Sequence, residues 1–149
     1  MELKFKAVNP KIGRELPLPQ FATPGSAAMD LRACIDAPVT IPAGGRTVIP
    51  TGLAMALPSA DYVALVFARS GLGIKKGVCL SNGVGVIDSD YRGEIAVGLA
   101  NLSAEDYTVM PGDRIAQLMV VPVVQPTVTL AEELDETGRG VGGFGSTGR

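Results

Sequence analysis

The sequence predicts an all-β sandwich or barrel. Short apolar runs recur along the chain, and Gly or Pro separates nearly all of them. Many short strands at this spacing are typical of β-sandwiches and β-barrels. Only one segment resembles a helix. With 149 residues, of which 46% are apolar and 19% charged, the chain is long enough for one domain with a core of useful size.

The strand predictions depend on alternation and on punctuation. Glu2 to Val8 and Met29 to Ile35 alternate between apolar and polar side chains, which indicates half-buried strands. The longest apolar run, Tyr62 to Ala68, has seven residues, far below the ~18 of a membrane-spanning helix. The other predicted strands are Thr47 to Ile49, Leu53 to Leu57, Tyr62 to Phe67, Val84 to Ile87, Glu94 to Ala100, Tyr107 to Met110 and Ile115 to Val124.

The helical candidate is Ser70 to Gly77. Its pattern predicts one or two turns, capped by Ser70 and stopped by Gly77. Gly71 and Gly73 make it a poor helix former. A helix here would present free backbone N–H groups at its start, and such groups suit an anion.

A second distinctive stretch is Asn82 to Glu94, which predicts a β-hairpin with a polar tip. Its tip carries Asp88 and Asp90, followed by Tyr91 and Arg92. A Ser-Asp turn between apolar runs is ordinary hairpin chemistry. Two carboxylates beside an aromatic ring are less ordinary, and they favour a reactive or ligand-binding role for the tip.

The C-terminal region differs in character from the rest. Residues 1–131 are predicted to form a single β-barrel domain, and residues 132–149 a mobile C-terminal arm. Residues 138–149 contain six glycines and one large apolar side chain, Phe144. Such a segment cannot build a core, so it is either a floppy terminus or a flap that becomes ordered on an anionic ligand through backbone N–H groups and Arg139.

Several function classes are excluded or disfavoured. The chain has no histidine, so Ser-His-Asp and Cys-His catalysis are excluded. Cys34 and Cys79 form no ligand pair and are interpreted as buried thiols in a reducing compartment. A net charge of −2 disfavours non-specific nucleic-acid binding. Gly138-x-Gly140-x-x-Gly143 matches a dinucleotide-binding pattern, but no βαβ unit surrounds it. The start lacks a signal peptide, which favours the cytoplasm.

Five polar clusters interrupt the strand pattern. In their order along the chain they resemble the five motifs of the trimeric deoxyuridine triphosphatase (dUTPase) family, from Pro24 to Gly148. The resemblance implies a jelly-roll-like β-barrel or sandwich of many short strands, with one short helix and a flexible Gly-rich tail. The five clusters are Pro24 to Asp30, Ala68 to Gly73, Asn82 to Glu94, Gly112 to Gln117 and Arg139 to Gly148.

The resemblance implies hydrolysis of dUTP to dUMP and pyrophosphate, which keeps uracil out of DNA and supplies dUMP for thymidylate synthesis. It implies a homotrimer whose active sites are shared between subunits, with Mg²⁺ bound chiefly through the substrate triphosphate. No direct protein ligand to the metal is expected, and neither is a membrane or nucleic-acid partner. Asp30 would contact the metal through water or orient Arg69.

The resemblance also implies roles for individual residues. Asp88 would be the general base that activates a water, and Asp90 would shape the turn and pair with a neighbouring cation. Because a carboxylate is ionised at neutral pH, it is a weak base, and positioning must contribute most of the rate. The uracil and deoxyribose would contact Asn82, Gly85, Val86, Tyr91 and Phe144. The phosphates would contact Arg69, Ser70, Gly71, Gln117, Arg139, Ser146 and Thr147.

Three alternatives remain from the sequence. A dCTP deaminase on the related fold would release ammonia, and the complete Gly-rich tail disfavours it. A non-catalytic, dUTP-binding regulatory protein would need a defective base or flap. A β-sandwich interaction module would explain the strands but not the tail together with Asp88.

Overall fold

The computed structural model describes residues 2–143, which form eleven β-strands and one short helix. The strands are β1 Lys4–Ala7, β2 Met29–Arg32, β3 Val39–Ile41, β4 Arg46–Pro50, β5 Leu53–Ala56, β6 Tyr62–Phe67, β7 Val78–Leu80, β8 Gly85–Ile87, β9 Ala96–Asn101, β10 Tyr107–Val109 and β11 Arg114–Pro122. The helix, α1, is Ser70–Lys76.

The strands form two larger sheets and two pairs, all of them antiparallel. One sheet has the order β2-β11-β6-β8, and the other has the order β4-β9-β7. The pairs are β1-β5 and β10-β3. This arrangement of short strands in layers is the jelly roll that the sequence predicts.

The core lies between the layers and is almost entirely aliphatic. Leu31 of β2 and Leu118 of β11 are fully buried from one sheet, and Ile49 of β4 and Leu99 of β9 are buried from the other. Along β2 the apolar residues point inward while Asp30 and Arg32 point outward, as the alternation predicts.

Most strand predictions are confirmed, with two omissions. Tyr62–Phe67 forms β6 as predicted, and the other predicted strands differ from the observed ones by a few residues at their ends. The omissions are β3 and β7. Each has three residues, as do the predicted strands β8 and β10, and tertiary pairing with β10 and β9 stabilises them.

The predicted hairpin over Asn82 to Glu94 is wrong in one respect. Its two flanking strands, β8 and β9, belong to different sheets: β8 pairs with β6, and β9 pairs with β4 and β7. The segment is therefore a crossing between layers. Turn residues such as those of Asp88 to Gly93 allow the chain to reverse or to cross between sheets, so turn chemistry alone does not distinguish the two.

The helix forms where the sequence places it, but its cap differs. The N-cap is Arg69, which makes no side-chain cap, and its carbonyl accepts from the N–H groups of Leu72 and Gly73. Ser70 is the first helical residue. At the other end Gly77 adopts a left-handed conformation, with φ 67°, which glycine adopts at no steric cost.

The two cysteines are free. Cys34 is buried as predicted, and this burial raises the pKa of its thiol. Cys79 is only half-buried, because it lies on the outer side of the short strand β7, so the prediction of two buried thiols is wrong for Cys79.

Beyond β11 the described chain is extended and exposed. Residues 123–143 contain no strand or helix. Apolar side chains there project into solvent, including Val124, Val128, Leu130 and Leu134, each at least 86% exposed. Among residues 2–143, no helix has the length and apolar character needed to span a membrane.

Candidate active site

A cavity of about 230 Å³ opens between the two larger sheets, beside the crossing segment. β8 and Val66 of β6 line one side, and Ala96 to Gly98 of β9 line the other. The cavity brings together five residues for which the sequence predicts a role: Asn82, Gly85, Val86, Asp88 and Tyr91.

Close packing shapes the Gly85 end of this cavity. A Cβ on Gly85 would lie 3.0 Å from Cβ of Val66, so a larger residue at this position would push β8 away from β6. Asn82 precedes it in a tight turn, where the N–H of Val84 donates to the Asn82 carbonyl over 2.9 Å. The chain at this end has little freedom to widen.

A compact turn fixes Asp88 and Tyr91 at the other end. The N–H of Tyr91 donates to the carbonyl of Asp88 over 3.2 Å. Arg92 braces the turn, since its guanidinium donates to the carbonyls of Ser89 and Tyr91 over 2.7 and 2.9 Å. The carboxylates of Asp88 and Asp90 are exposed. Asp90 makes no ion pair within the described chain, and Arg92 holds the turn through backbone carbonyls instead.

Tyr91 is held against the chain that leaves the turn. Its hydroxyl donates to the carbonyl of Glu94 over 3.1 Å. The Glu94 carboxylate in turn accepts the N–H of Gly52 over 2.7 Å. These two bonds fix the aromatic wall of the cavity to the turn between β4 and β5.

A separate polar cluster lies across the four-stranded sheet. Oδ1 of Asp30 is 2.7 Å from Nε of Arg69, and its Oδ2 is 3.2 Å from a terminal guanidinium nitrogen of Arg114. Arg69 also donates to the Arg114 carbonyl over 3.3 Å. Asp30 and the side chain of Arg69 are about one quarter exposed. The two guanidinium groups surround this single carboxylate, and we call Asp30, Arg69 and Arg114 the cationic cluster.

Gln117 adjoins this cluster through strand register. It lies opposite Asp30 of β2 and opposite Phe67 of β6, and its amide donates to the Ala68 carbonyl over 2.9 Å. Ser70 and Gly71, at the start of α1, are exposed nearby in sequence. The residues predicted to contact phosphates, apart from those of the C-terminal arm, are therefore grouped at one end of the four-stranded sheet.

Gln117, beside the cationic cluster, and Asp88 lie at opposite ends of the β6–β8 pair. Ile87 is opposite Ala64, so Asp88 follows at the level of Val63, whereas Gln117 is opposite Phe67. Four residues of strand separate those levels, about 13 Å at the usual rise per residue. Asp88 and the cationic cluster therefore lie apart on one chain, whereas the Gly85 end of the cavity, which Val66 lines, is close to the level of Gln117.

The tail contributes one described site residue. Nε of Arg139 donates to the Gly142 carbonyl over 2.8 Å, within a local turn that also bonds Gly140 to Thr137. Phe144, Ser146 and Thr147, for which the sequence predicts contacts with uracil and phosphates, lie outside the described residues.

Candidate metal ligands are sparse among the described residues. No group of three or more His, Cys, Asp or Glu side chains in residues 2–143 is arranged to hold a metal. Both oxygens of Asp30 are engaged by arginines. Mg²⁺ typically keeps several waters and binds substrate phosphates with few protein ligands.

Two residues near these sites were missed by the sequence reasoning. Arg114 lies inside the Gly112 to Gln117 cluster, so its motif position was the available signal. Glu94 is the last residue of the crossing segment and carries no local signal of its role, because its partner Gly52 is 42 positions away.

Comparison with known proteins gives consistent matches. The dUTPase family model matches residues 14–148. The deoxyuridine 5'-triphosphate nucleotidohydrolase of Idiomarina loihiensis is 51% identical over 99% of this chain and 98% of its own length. That of Aeromonas hydrophila is 49% identical over 99% and 97%. A mutant dUTPase of Staphylococcus bacteriophage 80alpha, solved with dUpNHpp, superimposes with a TM-score of 0.87 at 24% identity, covering 99% of both chains.

A second solved structure shares the same fold. A mutant dUTPase from phage phi11 of S. aureus, described as revealing the coordination of a structural Mg(II) ion, has a TM-score of 0.78 at 21% identity. The match covers 91% of this chain and all of that one. At this identity the likeness concerns the fold.

Proposed function

This chain belongs to the dUTPase family, and on that premise we propose that it hydrolyses dUTP to dUMP and pyrophosphate, with water attacking the α-phosphate. The reaction keeps uracil out of DNA and supplies dUMP for thymidylate synthesis. The observation that carries the proposal is the cavity between the sheets, where Asn82, Asp88 and Tyr91 line one space.

The narrow end of the cavity is proposed to select uracil. The Asn82 amide and backbone groups near Gly85 and Val86 hydrogen-bond the base edge. A matched set of donors and acceptors rejects a wrong base because polar groups are then left unpaired. The close contact of Gly85 with Val66 supports exclusion of a 5-methyl group, since β8 cannot move back to admit it.

The sugar and the attacking water are proposed to lie at the turn. The Tyr91 ring lies against deoxyribose, where a 2′-hydroxyl would clash. Asp88, exposed to the same cavity, holds a water in line with the α-phosphorus and accepts its proton as general base. A base of this kind typically contributes 10²–10⁴-fold, and alignment of the water contributes further.

The phosphates are proposed to contact Arg69, Ser70, Gly71 and Gln117 of a second subunit. The separation of about 13 Å along β6 between the Asp88 and Gln117 levels supports this division. Neighbouring phosphates of one nucleotide are joined through single bridging oxygens and therefore lie close together. One chain is thus poorly placed to bring both Asp88 and Gln117 to the same triphosphate.

An apolar face of the four-stranded sheet supports a homotrimer. We define the apolar sheet face as the outward side chains of Val63, Leu65, Phe67, Val86, Met119 and Val121. They lie side by side through the register of β8, β6 and β11, and all are exposed or only half-buried. Burying such a face against another copy is favourable, and Gln117 borders it opposite Phe67.

The Gly-rich tail is proposed to close over the site of another subunit. Phe144 stacks over the uracil, while Arg139, Ser146 and Thr147 close on the phosphates and exclude water. The described part of the tail supports this role, because the bonds of Arg139 and Gly140 lie within its own turn. Arg139 can therefore leave that turn at little cost.

Magnesium, bound chiefly through the triphosphate oxygens, would offset their charge and fix their conformation. Asp30 acts as a positioning residue for Arg69, with which it is paired. The assay that tests the function supplies dUTP, dCTP and other nucleotides, and measures pyrophosphate and ammonia separately. Pyrophosphate from dUTP alone supports the proposal; ammonia from dCTP would indicate a deaminase.

A further inference from the structure

The Tyr91 ring occupies space that only a glycine at position 93 leaves free. A Cβ on Gly93 would overlap the Tyr91 hydroxyl oxygen and lie 2.6 Å from Cζ and 3.0 Å from Cε2. The ring is therefore folded back over Gly93, with its hydroxyl bonded to the Glu94 carbonyl. Gly93 has no positive φ that would by itself require glycine, so the space for the ring is what requires the small residue.

The acceptor for Tyr91 is itself fixed. The Glu94 carboxylate accepts the N–H of Gly52 over 2.7 Å. The next residue, Ile95, donates to Leu53 over 2.7 Å and accepts from the Thr51 hydroxyl over 2.6 Å. Residues 94–95 are thus fixed to the turn at 51–53 from both sides.

The turn at residues 51–53 is closely packed against the core. Gly52 has φ 71°, and a Cβ there would lie 2.7 Å from Sγ of the buried Cys34 and 3.1 Å from Ile12. Its carbonyl also accepts the N–H of Val8 over 2.9 Å. The chain of contacts runs from the core through Gly52 and Glu94 to the hydroxyl of Tyr91.

From this geometry we propose that Gly93 and Glu94 are positioning residues that hold Tyr91 as a rigid wall of the cavity and thereby set the preference for deoxyribose over ribose. The proposal rests on the proposed function, since it assigns the sugar to the Tyr91 side. Gly93 is not among the residues that line the cavity. Glu94 does line it, and the role proposed for Glu94 here is to hold Tyr91 through its bond with Gly52. Gly93 leaves the space for the Tyr91 ring. The Glu94 carboxylate fixes the peptide whose carbonyl accepts the Tyr91 hydroxyl.

The test compares Gly93→Ala with Gly25→Ala in the full-length protein. Gly25 is a matched control, because a Cβ there meets nothing within 4 Å and its φ is not positive. We expect Gly93→Ala to lower the ratio of kcat/KM for dUTP to that for UTP by about tenfold or more, and Gly25→Ala to leave it unchanged. In a Tyr91→Ala background, Gly93→Ala should have no further effect on the ratio, because the two act as one unit.

Glu94 has its own pair of variants. Glu94→Gln keeps an oxygen that can accept the Gly52 N–H and should retain the substrate ratio, whereas Glu94→Ala should lower it. If Glu94→Gln lowered the dUTP-to-UTP ratio of kcat/KM as much as Glu94→Ala, the charge of Glu94 rather than its acceptor oxygen would matter. That result would overturn the role given to Glu94.

A readout that needs no activity separates this proposal from the function itself. The chain has three tyrosines, so 3-fluorotyrosine labelling gives a short fluorine spectrum in which Tyr91→Phe assigns one resonance. That resonance should shift in Gly93→Ala and not in Gly25→Ala. An unmoved resonance, or an unchanged substrate ratio, overturns the proposal. Absence of dUTP hydrolysis by the wild-type protein would count against the proposed function. Even then, the fluorine shift would decide whether Gly93 positions the Tyr91 ring.

Discussion

Asp30 and Arg69, 39 positions apart in sequence, meet in an ion pair with Oδ1 2.7 Å from Nε. The bond uses the inner nitrogen of the guanidinium, so one terminal nitrogen is directed to the Arg114 carbonyl and the group is held in one plane. A planar guanidinium is well suited to phosphate oxygens when its orientation is fixed. The sequence raised two roles for Asp30, and this pairing favours the one in which it orients Arg69.

Replacing Asp30 with Asn should therefore weaken catalysis more than folding. A misplaced phosphate contact can cost up to about 100-fold in rate, and we expect kcat/KM to fall by roughly 10- to 100-fold. The pair is about one quarter exposed, so the free energy of unfolding should fall by about 1 kcal/mol or less. Asp36→Asn is the matched control, since it removes the pairing of Asp36 with Lys11, outside the cavity and the cationic cluster. If the two variants were equally active, Asp30 would have no role in catalysis.

Asp88→Asn should abolish most turnover and keep substrate binding. The change preserves the shape of the turn, whose Tyr91 N–H bonds to the backbone carbonyl of Asp88, but removes the proton acceptor. Loss of a general base typically costs 10²–10⁴-fold in rate. Pyrophosphate release measures the rate, and calorimetric titration with a non-hydrolysable dUTP analogue measures binding. Asp90→Asn, on the same turn, is the control and should retain most activity. Unchanged turnover in Asp88→Asn would exclude it as the base.

Mixing two inactive variants tests whether sites are shared between chains, as the proposed homotrimer requires. Asp88→Asn and Arg69→Gln subunits should each be nearly inactive alone. Equal amounts of the two variants are unfolded and refolded together, so that subunits mix at random in a closed ring. A site that takes Asp88 from one chain and Arg69 from another then has both residues intact in about one quarter of cases. We expect activity to recover toward that fraction. Sites built from one chain would stay inactive in every mixture, and that result would refute the shared arrangement.

Removal of residues 138–149 should separate catalysis from folding. The bonds of Arg139, Gly140 and Gly142 stay within a local turn, and the buried core comes from strands that end at Pro122. The truncated protein should therefore unfold at nearly the same temperature as the full chain but lose most of its dUTP hydrolysis. Thermal unfolding and pyrophosphate release are the two measurements. Full activity in the truncated protein would contradict the role of the tail as a lid.

The sequence predicts local features of this protein better than distant ones. Tyr62–Phe67 is recognised because six consecutive residues carry one pattern. The three-residue strands β3 and β7 are missed although β8 and β10, equally short, are predicted, so length alone does not decide recognition. Asn82, Asp88 and Tyr91 lie within ten positions, so one motif identifies them together. Their surroundings depend on the crossing between sheets, which turn residues alone do not distinguish from a hairpin.

Long-range contacts account for what the sequence could not provide. Glu94 reaches Gly52 only because β9 pairs with β4, and Arg114 reaches Asp30 only because β11 pairs with β2. No pattern within either segment encodes those partners. The cap of α1 at Arg69 rather than Ser70 is a difference of one residue, which lies within the usual uncertainty of helix ends.

The most direct test of the central claim is a substrate panel with the wild-type protein and magnesium. The panel contains dUTP, dTTP, dCTP, dATP and UTP, with pyrophosphate and nucleoside monophosphate both measured. We predict rapid conversion of dUTP to dUMP with one pyrophosphate per turnover. We also predict far slower reaction of dTTP, because in the proposed arrangement the close packing of Gly85 on Val66 excludes its methyl group. UTP should also react far more slowly, because the Tyr91 ring is proposed to exclude a 2′-hydroxyl. Robust pyrophosphate release from UTP or dATP with none from dUTP would contradict the account.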